Sequence, residues 1–397
     1  MSEPRDKWQR SVIRNNMLKL REAVEEQYVK GKPMVKTHDG RLAFSLLIPP
    51  LGDPVAVRRA RQVMKNVLDS RSALEDGGQI KWARRTPHIV TLAPTYDCQC
   101  DCGHCSAFLK RQAVRRAGNA LTLPELQDTI RQAVALGTTA LVLVGGEPLL
   151  YPRLDELIRS IDREKCLCTL FTNGEFMTAD AVARLKDAGA YGVFFSLDDS
   201  DPQSHDRNRK RPGLFFKAMD GIRRCRDAGI VTGISTFVTK EKIASGEMEA
   251  MMDLARRVDV LEVFFFDLIP TGRMTQKREC VLSAEENEDI RAFRRRYNDD
   301  PGFPRIIHQT LFASLTYPCA AEGCPAASVY MHIQADGSVC PCDFTPLVFG
   351  NVREKGLREI WIEMSSSEIY GKSSARCRYQ DPAFLDAVVR FEKTQLA

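Results

Sequence analysis

The sequence predicts an α/β protein built on a parallel sheet, and three observations carry that expectation. Short, almost uninterrupted apolar runs recur between residues 88 and 268. Amphipathic helical patterns separate them, as crossovers between parallel strands require. Clusters of Gly, Asn, Ser, Asp and Arg follow the runs, at the carboxyl ends where such sheets bind their ligands.

The runs are 88–94 (HIVTLAP), 139–144 (TALVLV), 167–171 (LCTLF), 191–197 (YGVFFSL), 231–238 (VTGISTFV) and 260–268 (VLEVFFFDL). Helical patterns lie near 123–136, 153–163, 178–188, 214–228, 245–257 and 283–297. Six such units fit a six-stranded partial barrel, open on one side. An open α/β sheet gives nearly the same string. Upstream, residues 1–30 read as a helix, with Trp8, Val12, Ile13, Leu18, Leu20 and Val24 among charges, and 56–68 as another. Between them the stretch Leu42 to Leu51 (LAFSLLIPPL) is apolar and ends in Pro-Pro. The expected division is an N-terminal, mainly helical accessory region at 1–86, a barrel domain at 87–300 and a cysteine-bearing region at 301–397.

Composition narrows the class. Of 397 residues, 44% are hydrophobic and 27% charged, as in ordinary globular proteins. No apolar run reaches the roughly 18 residues needed to span a bilayer. The polar start, MSEPRDKWQR, lacks the apolar core of a signal peptide, so the cytoplasm is the expected location. Thirteen cysteines are too few for a disulfide scaffold of this length, and they cluster, which points to metal. The net charge of +5 is uneven: residues 1–90 hold 18 Lys and Arg against 10 Asp and Glu, a surplus of eight. Such a lobe can meet an anionic substrate, a lipid surface or nucleic acid, although most basic surfaces are simply solvated. With the apolar LAFSLLIPPL stretch it leaves peptide and anionic lipid substrates both open. No nucleic-acid partner is expected, and peripheral membrane contact stays open.

Cys98, Cys102 and Cys105 form C-x3-C-x2-C just after the first strand. Three thiolates on a tight loop can hold three irons of a cubane, leaving the fourth open to a small molecule. Zinc is the competing reading, with Cys100 or His104 as a fourth ligand. Other motifs then follow successive strands: Gly145-Gly146-Glu147-Pro148, Thr172-Asn173-Gly174, Ser196-Leu197-Asp198, His205 to Arg209, and Pro270-Thr271-Gly272-Arg273. Glycines at such a place let a ligand approach the backbone. Singly each is a turn; their order is not accidental.

With these motifs the sequence resembles the radical SAM superfamily, and within it the enzymes with a SPASM or Twitch extension, over about residues 88–378. The resemblance implies a partial (β/α)6 TIM-like barrel whose first loop holds a [4Fe–4S] cluster through Cys98, Cys102 and Cys105. The open iron would chelate the amine and carboxylate of S-adenosylmethionine (SAM). Gly145, Gly146 and Glu147 would contact the methionine amine. Ser196 and Arg209 would reach its carboxylate or ribose, and Thr172 and Asn173 would line the pocket. Reductive cleavage would give methionine and a 5′-deoxyadenosyl radical, which takes a hydrogen atom from a peptide, small-metabolite or lipid substrate. A flavodoxin- or ferredoxin-type protein would supply the electron.

Past the barrel, Cys319 and Cys324 precede a hairpin-like stretch, MHIQADGSVCPCDF, turning at Asp336-Gly337, and Cys377 follows. By the same resemblance Cys319, Cys324, Cys342 and Cys377 would hold an auxiliary [4Fe–4S] cluster for electron transfer. Cys340 could replace Cys342 or Cys377, and a structural zinc is the alternative. The cysteines that build a second auxiliary cluster are missing, which implies one, as in a Twitch domain.

Other residues invite plainer readings. Cys166, Cys168 and Cys225 read as small buried hydrophobes. Cys280 lies in a loop, where a hydrogen-donor role is the remote reading. His38, His88, His308 and His332 show no partner pattern, so packing or surface roles are expected. Asp198 and Arg273 sit at strand ends facing the presumed cavity, where each could touch substrate and Asp198 could be catalytic. The Phe run 264–266 reads as a buried strand, and 381–394 as a docking helix.

Overall fold

Each of the six apolar runs forms a strand, and all six lie side by side in one sheet. In the computed structural model, residues 31–50, 52–74, 86–275, 277–309, 323–371, 374 and 376–388 are described. The helix expected at 1–30, Cys319 and residues 389–394 lie outside them. A two-residue ladder, β1 (Val35–Lys36) with β2 (Leu42–Ala43), precedes α1 (Pro54–Leu74). Then come β3 (Ile89–Thr95), α2 (Phe108–Ala117), α3 (Leu123–Leu136), β4 (Ala140–Gly145), α4 (Leu154–Arg159) and β5 (Leu167–Thr172). Next are α5 (Ala179–Ala188), β6 (Gly192–Ser196), α6 (Pro202–Arg209), α7 (Leu214–Asp227) and β7 (Val231–Val238). They are followed by α8 (Lys240–Ser245), α9 (Glu247–Arg257), β8 (Glu262–Asp267), α10 (Ala284–Asp299) and β9 (Arg305–His308). The last elements are β10 (Tyr330–Ile333), β11 (Ser338–Cys340), β12 (Gly350–Asn351) and α11 (Leu357–Ser366).

The sheet has ten strands in the order β12-β11-β10-β3-β4-β5-β6-β7-β8-β9. It is parallel from β10 to β9, with β11 and β12 antiparallel at one edge. The sheet is therefore larger than the expected six strands. A parallel strand joins it past residue 300, and the hairpin at Asp336-Gly337 extends it through β10 beside β3. Neither run is as long or as apolar as the six, which is why periodicity passed over them.

Alternation along the strands separates two buried faces. Val90, Leu92, Leu141, Leu143, Leu170, Val193, Val263 and Phe265 pack against the helices. Ile89, Val142, Leu167, Phe194, Phe264 and Ile307 turn inward and meet Ala43, Leu46, Leu47 and Val55. Strands from β3 to β9 thus share one small apolar plug, which requires the sheet to curl around it. This is a partial barrel, with no ladder between β9 and β12 among the described residues.

The plug is the stretch LAFSLLIPP. Leu46 and Ala43 are fully buried, and Leu47 is 2% exposed. Beyond its short ladder with β1, its backbone is met by side chains from the strands. Glu262 accepts from Leu46 N at 2.7 Å, Thr169 donates to Leu46 O at 2.8 Å, and Tyr191 donates to Ser45 O at 3.0 Å. From Ala43 to Pro50 the apolar stretch is thus buried as the floor of the barrel, leaving only Leu42 of these residues, 50% exposed, at its edge. Part of the basic lobe is likewise committed: Arg58 on α1 donates to the carbonyls of Thr138 and Lys165 at 2.7 and 2.8 Å.

Helix ends follow ordinary capping rules. Thr178 accepts from Ala181 N at the start of α5, and Gly189 closes that helix in a left-handed conformation. Ser283 and Glu286 form a capping box on α10. Residues 382–388 are helical, and Leu385 and Val388 pack with Ile269 and Tyr379.

Candidate functional site

The carboxyl ends of the strands surround a cavity of about 360 Å³ above the Leu47 floor. Cys98, Cys102 and Cys105 line it from the loop after β3, and Cys324, Cys342 and Cys377 line it from the C-terminal region. Six of the seven cysteines singled out as cluster ligands therefore face one space. Cys319 lies outside the described residues.

The first loop is held by its backbone. Arg111 on α2 donates to Cys98 O at 2.9 Å and to Cys100 O at 3.4 Å. Gly146 N donates to Thr95 O at 3.0 Å, and Glu147 N to Asp97 O at 2.7 Å. A Cβ on Gly145 would lie 2.2 Å from Thr95 O, and one on Gly146 2.1 Å from Asp97 O. The close approach that demands these glycines is thus the cysteine loop's own backbone. Both still border the cavity.

Glu147 turns elsewhere. Its carboxylate is buried and accepts from Thr172 Oγ1 at 2.7 Å, Asn173 N at 2.8 Å and Leu149 N at 3.1 Å. It joins the ends of β4 and β5 and is absent from the cavity lining. Burial raises its pKa to about 7, against those three hydrogen bonds. Asn173 Oδ1 in turn accepts from Gln99 on the cysteine loop at 3.0 Å.

Asp198 and Arg209 both line the cavity and hold each other. The guanidinium makes two hydrogen bonds to the carboxylate, at 2.6 and 3.1 Å, and Asp198 is 1% exposed. Burial pushes the Asp198 pKa up, but the charges of Arg209 and His104 more than reverse it, so it stays ionised. Asp198 N donates to His205 Nδ1 at 3.0 Å, which fixes the turn after β6. Ser196 accepts from Ser235 at 3.2 Å beside this pair. Arg273 does not face the cavity as expected. It pairs with Asp101, lies over the Phe108 ring at 3.9 Å, and its N donates to Cys105 O at 3.1 Å. The loop after β8 closes down on the cysteine loop and takes this arginine with it.

Two histidines expected to be plain packing residues are not. Buried His332 on β10 contacts Thr91 Oγ1 and Asp343 Oδ1 through Nδ1, each at 2.9 Å, and Tyr96 OH through Nε2 at 3.3 Å. Tyr330 donates to the same Asp343 carboxylate. All five residues line the cavity. Burial lifts the Asp343 carboxyl to about 6, with Lys110 opposing. His308 Nε2 sits 2.8 Å from Asp267 Oδ1, and Gln309 donates to Asp267 Oδ2 at 3.1 Å. Thr91, Tyr96 and Asp267 lie 41 to 241 residues from the histidines they meet, which is why no spacing announced them.

The Phe run also divides. Phe265 is core, whereas Phe264 and Phe266 stack at 4.3 Å and join Phe171 and Phe344 on the cavity wall. Cys166, Cys168 and Cys225 are core residues as expected, and burial raises the Cys166 and Cys225 thiols to about 12.

The donor set fits iron–sulfur clusters. Arg111 and Arg209 place positive charge beside Cys98, whose thiol a hydrogen bond from Cys100 first draws down, to about 6. Among the described residues, no three His, Cys, Asp or Glu side chains converge as on a single metal ion. A cubane, with its irons at separate corners, does not ask for that. Residues 92–255 match the model of the radical SAM superfamily, and residues 324–380 that of the SPASM iron–sulfur cluster-binding domain.

The chain belongs to the radical SAM superfamily. It is an enzyme of the SPASM-containing kind, and its cofactors are SAM, the [4Fe–4S] cluster of the radical SAM domain and auxiliary iron–sulfur chemistry in the SPASM domain. The AdoMet-dependent heme synthase of Methanosarcina barkeri is 27% identical over 303 residues, which cover 72% of this chain and 84% of that protein. The PqqA peptide cyclase of Rhizobium meliloti is 27% identical over 302 residues, 72% and 77% of the two chains. Streptococcus suis SuiB, solved with its precursor peptide SuiA, superposes with a TM-score of 0.60 at 18% identity, over 79% of this chain and 71% of that one. That likeness concerns the fold alone. Among the described residues no helix is long and apolar enough to cross a membrane.

Cys340 separates from the other C-terminal cysteines. It is fully buried, receives a hydrogen bond from Gln334 Nε2 at 2.9 Å and does not border the cavity. Cys340→Ala is therefore expected to leave iron and sulfide content unchanged and to destabilise by about 1 kcal/mol through lost packing. Iron assay and denaturant unfolding check both.

Proposed function

We propose that this radical SAM enzyme cleaves SAM reductively and directs the 5′-deoxyadenosyl radical at a substrate held between its two cysteine sets. One observation carries the reading: Cys98, Cys102 and Cys105 share a single cavity with Cys324, Cys342 and Cys377. A molecule in that cavity is within reach of both. In this reading the first three cysteines hold the SAM-binding cluster, and Cys319, Cys324, Cys342 and Cys377 hold one auxiliary [4Fe–4S] cluster that exchanges electrons with substrate.

When bound, the first cluster supplies the low-potential electron that breaks the carbon–sulfur bond of SAM. The chain's residues supply position. Arg111 holds the cysteine loop, and the Gly145-Gly146 main chain borders the cavity where the methionine amine would sit, with Glu147 fixing the turn behind it. Thr172 and Asn173 line the pocket beside it, with Thr172 also anchoring Glu147. Ser196 and Arg209 flank the methionine carboxylate or ribose, with Asp198 orienting the guanidinium. Phe171, Phe264, Phe266 and Phe344 exclude water from the space where the radical would act. Asp343, Tyr330 and His332 are polar groups that face substrate from the auxiliary side, so an apolar body with a hydrogen-bonding group fits. This favours a small metabolite or a peptide side chain. The lipid reading loses its support, because the stretch that suggested it is the barrel floor.

Anaerobic reconstitution followed by dithionite and SAM tests the proposal. Methionine and 5′-deoxyadenosine are expected in equal amounts. If neither forms, even with candidate substrates added, reductive cleavage is wrong.

A further inference from the structure

We propose that α2 is the docking surface for an acidic one-electron carrier protein, of flavodoxin or ferredoxin kind, that reduces this enzyme. The inference rests on the reductive cleavage proposed above and adds where the electron enters. Position comes first. α2 begins three residues after Cys105, and its Arg111 holds the Cys98 and Cys100 carbonyls. The loop tip, Gly103, is exposed, and a Cβ built there meets nothing within 4 Å. The cysteine loop therefore comes to the surface beside this helix. α2 also reaches the other cysteine set. Lys110 donates to Asp343 O at 2.9 Å, and Val114 packs with Ala335 of the hairpin. A carrier seated on α2 lies over the seam between both.

Charge is the second, independent observation. No Asp or Glu occurs between Asp101 and Glu125, while Lys110, Arg111, Arg115 and Arg116 do. Val114 is the one buried residue of the helix, and Gln112, Ala113, Arg115, Arg116 and Ala117 are exposed. Arg115 pairs with Asp97 with both side chains 60% exposed, a contact that an incoming carboxylate can replace at little cost. Arg116 has no ion pair among the described residues. With Asp97 balancing Arg115, Arg116 leaves this surface net positive, and net positive charge next to a redox site steers a partner of opposite charge and speeds encounter. The exposed face has no aromatic ring, so it offers no stacking platform for a single-stranded nucleic acid. In each transfer the carrier loses one electron, and that electron breaks one carbon–sulfur bond of SAM. No proton or group crosses the interface.

The test compares the holoenzyme with Gln112→Glu/Arg116→Glu, two exposed positions one turn apart. Calorimetric titration with flavodoxin at about 50 mM salt is expected to show affinity about tenfold weaker in the variant, and wild-type binding is expected to fall as salt rises to about 300 mM. 5′-Deoxyadenosine formation driven by reduced flavodoxin should fall about as much, while the rate driven by dithionite stays unchanged. Flavodoxin affinity that ignores the charge reversal overturns the docking site, as does a dithionite rate that falls in parallel. So does an oligonucleotide that binds α2 more tightly than flavodoxin and loses affinity in the variant. A wild type inert to dithionite would instead sink the cleavage chemistry, and the titration would still decide the surface.

Discussion

Cys102→Ala is expected to abolish SAM cleavage and to lower iron and sulfide from about eight each to about four each. Cys342→Ala should lose a similar amount of iron yet keep the capacity to make 5′-deoxyadenosine with dithionite. The contrast follows from where the two residues stand. Both line the cavity, but Cys102 sits on the loop clasped by Arg111, Gly146 and Glu147, whereas Cys342 lies beyond β11 beside Asp343. Neither substitution removes a packing anchor, since both side chains are only partly buried. Large changes in cluster content therefore report ligation rather than unfolding. Iron and sulfide assay with product analysis on the anaerobic variants checks the assignment. Unchanged iron in Cys342→Ala would remove that residue from the ligand set.

Stability is expected to fall as pH rises through 7, and Glu262 is a main cause. Its carboxyl is fully buried where β8 begins, with Oε1 accepting from Leu46 N and Ser45 Oγ. Oε2 has no hydrogen-bond partner among the described residues. Burial lifts its pKa to about 7, opposed by the bond from Leu46 N, Ser45 and the charge of Arg305. A raised folded-state pKa means that folding favours the protonated form. The contribution is complete below the unfolded value near 4.5 and is lost as pH climbs through about 7. That shift corresponds to roughly 3 kcal/mol. Glu262→Gln, neutral at every pH, should match wild type near pH 5 and exceed it by roughly 2–3 kcal/mol near pH 8. Glu147 and Asp343 titrate in the same sense and remain in both proteins, so the difference isolates Glu262. Anaerobic denaturant unfolding at the two pH values measures it. A gap that does not change with pH would show that Glu262 titrates normally.

Both experiments depend on contacts of unlike legibility. The cysteine loop and the glycines of Gly145-Gly146 were readable because their demands are local: ligand spacing on one turn, and a backbone too close for a Cβ. What approached those glycines was not readable. Arg273 looked like a substrate contact because it follows a strand end, but the loop carrying it folds back over Cys105 and spends its charge on Asp101. LAFSLLIPP looked like a surface that might seek lipid, since apolarity alone does not say what covers it.

What the sequence determined by itself is periodic or contiguous. Six strands and their helices, the order of the strand-end motifs and the C-x3-C-x2-C loop all express rules that act over a few residues. Only the tertiary structure decided that two distant cysteine sets face one chamber, that Leu46 and Leu47 form its floor, and that His332 meets Thr91, Tyr96 and Asp343. Those meetings depend on how a ten-stranded sheet curls and which strand docks at its edge. Curl and docking are settled by the summed packing of many side chains, which no local pattern encodes.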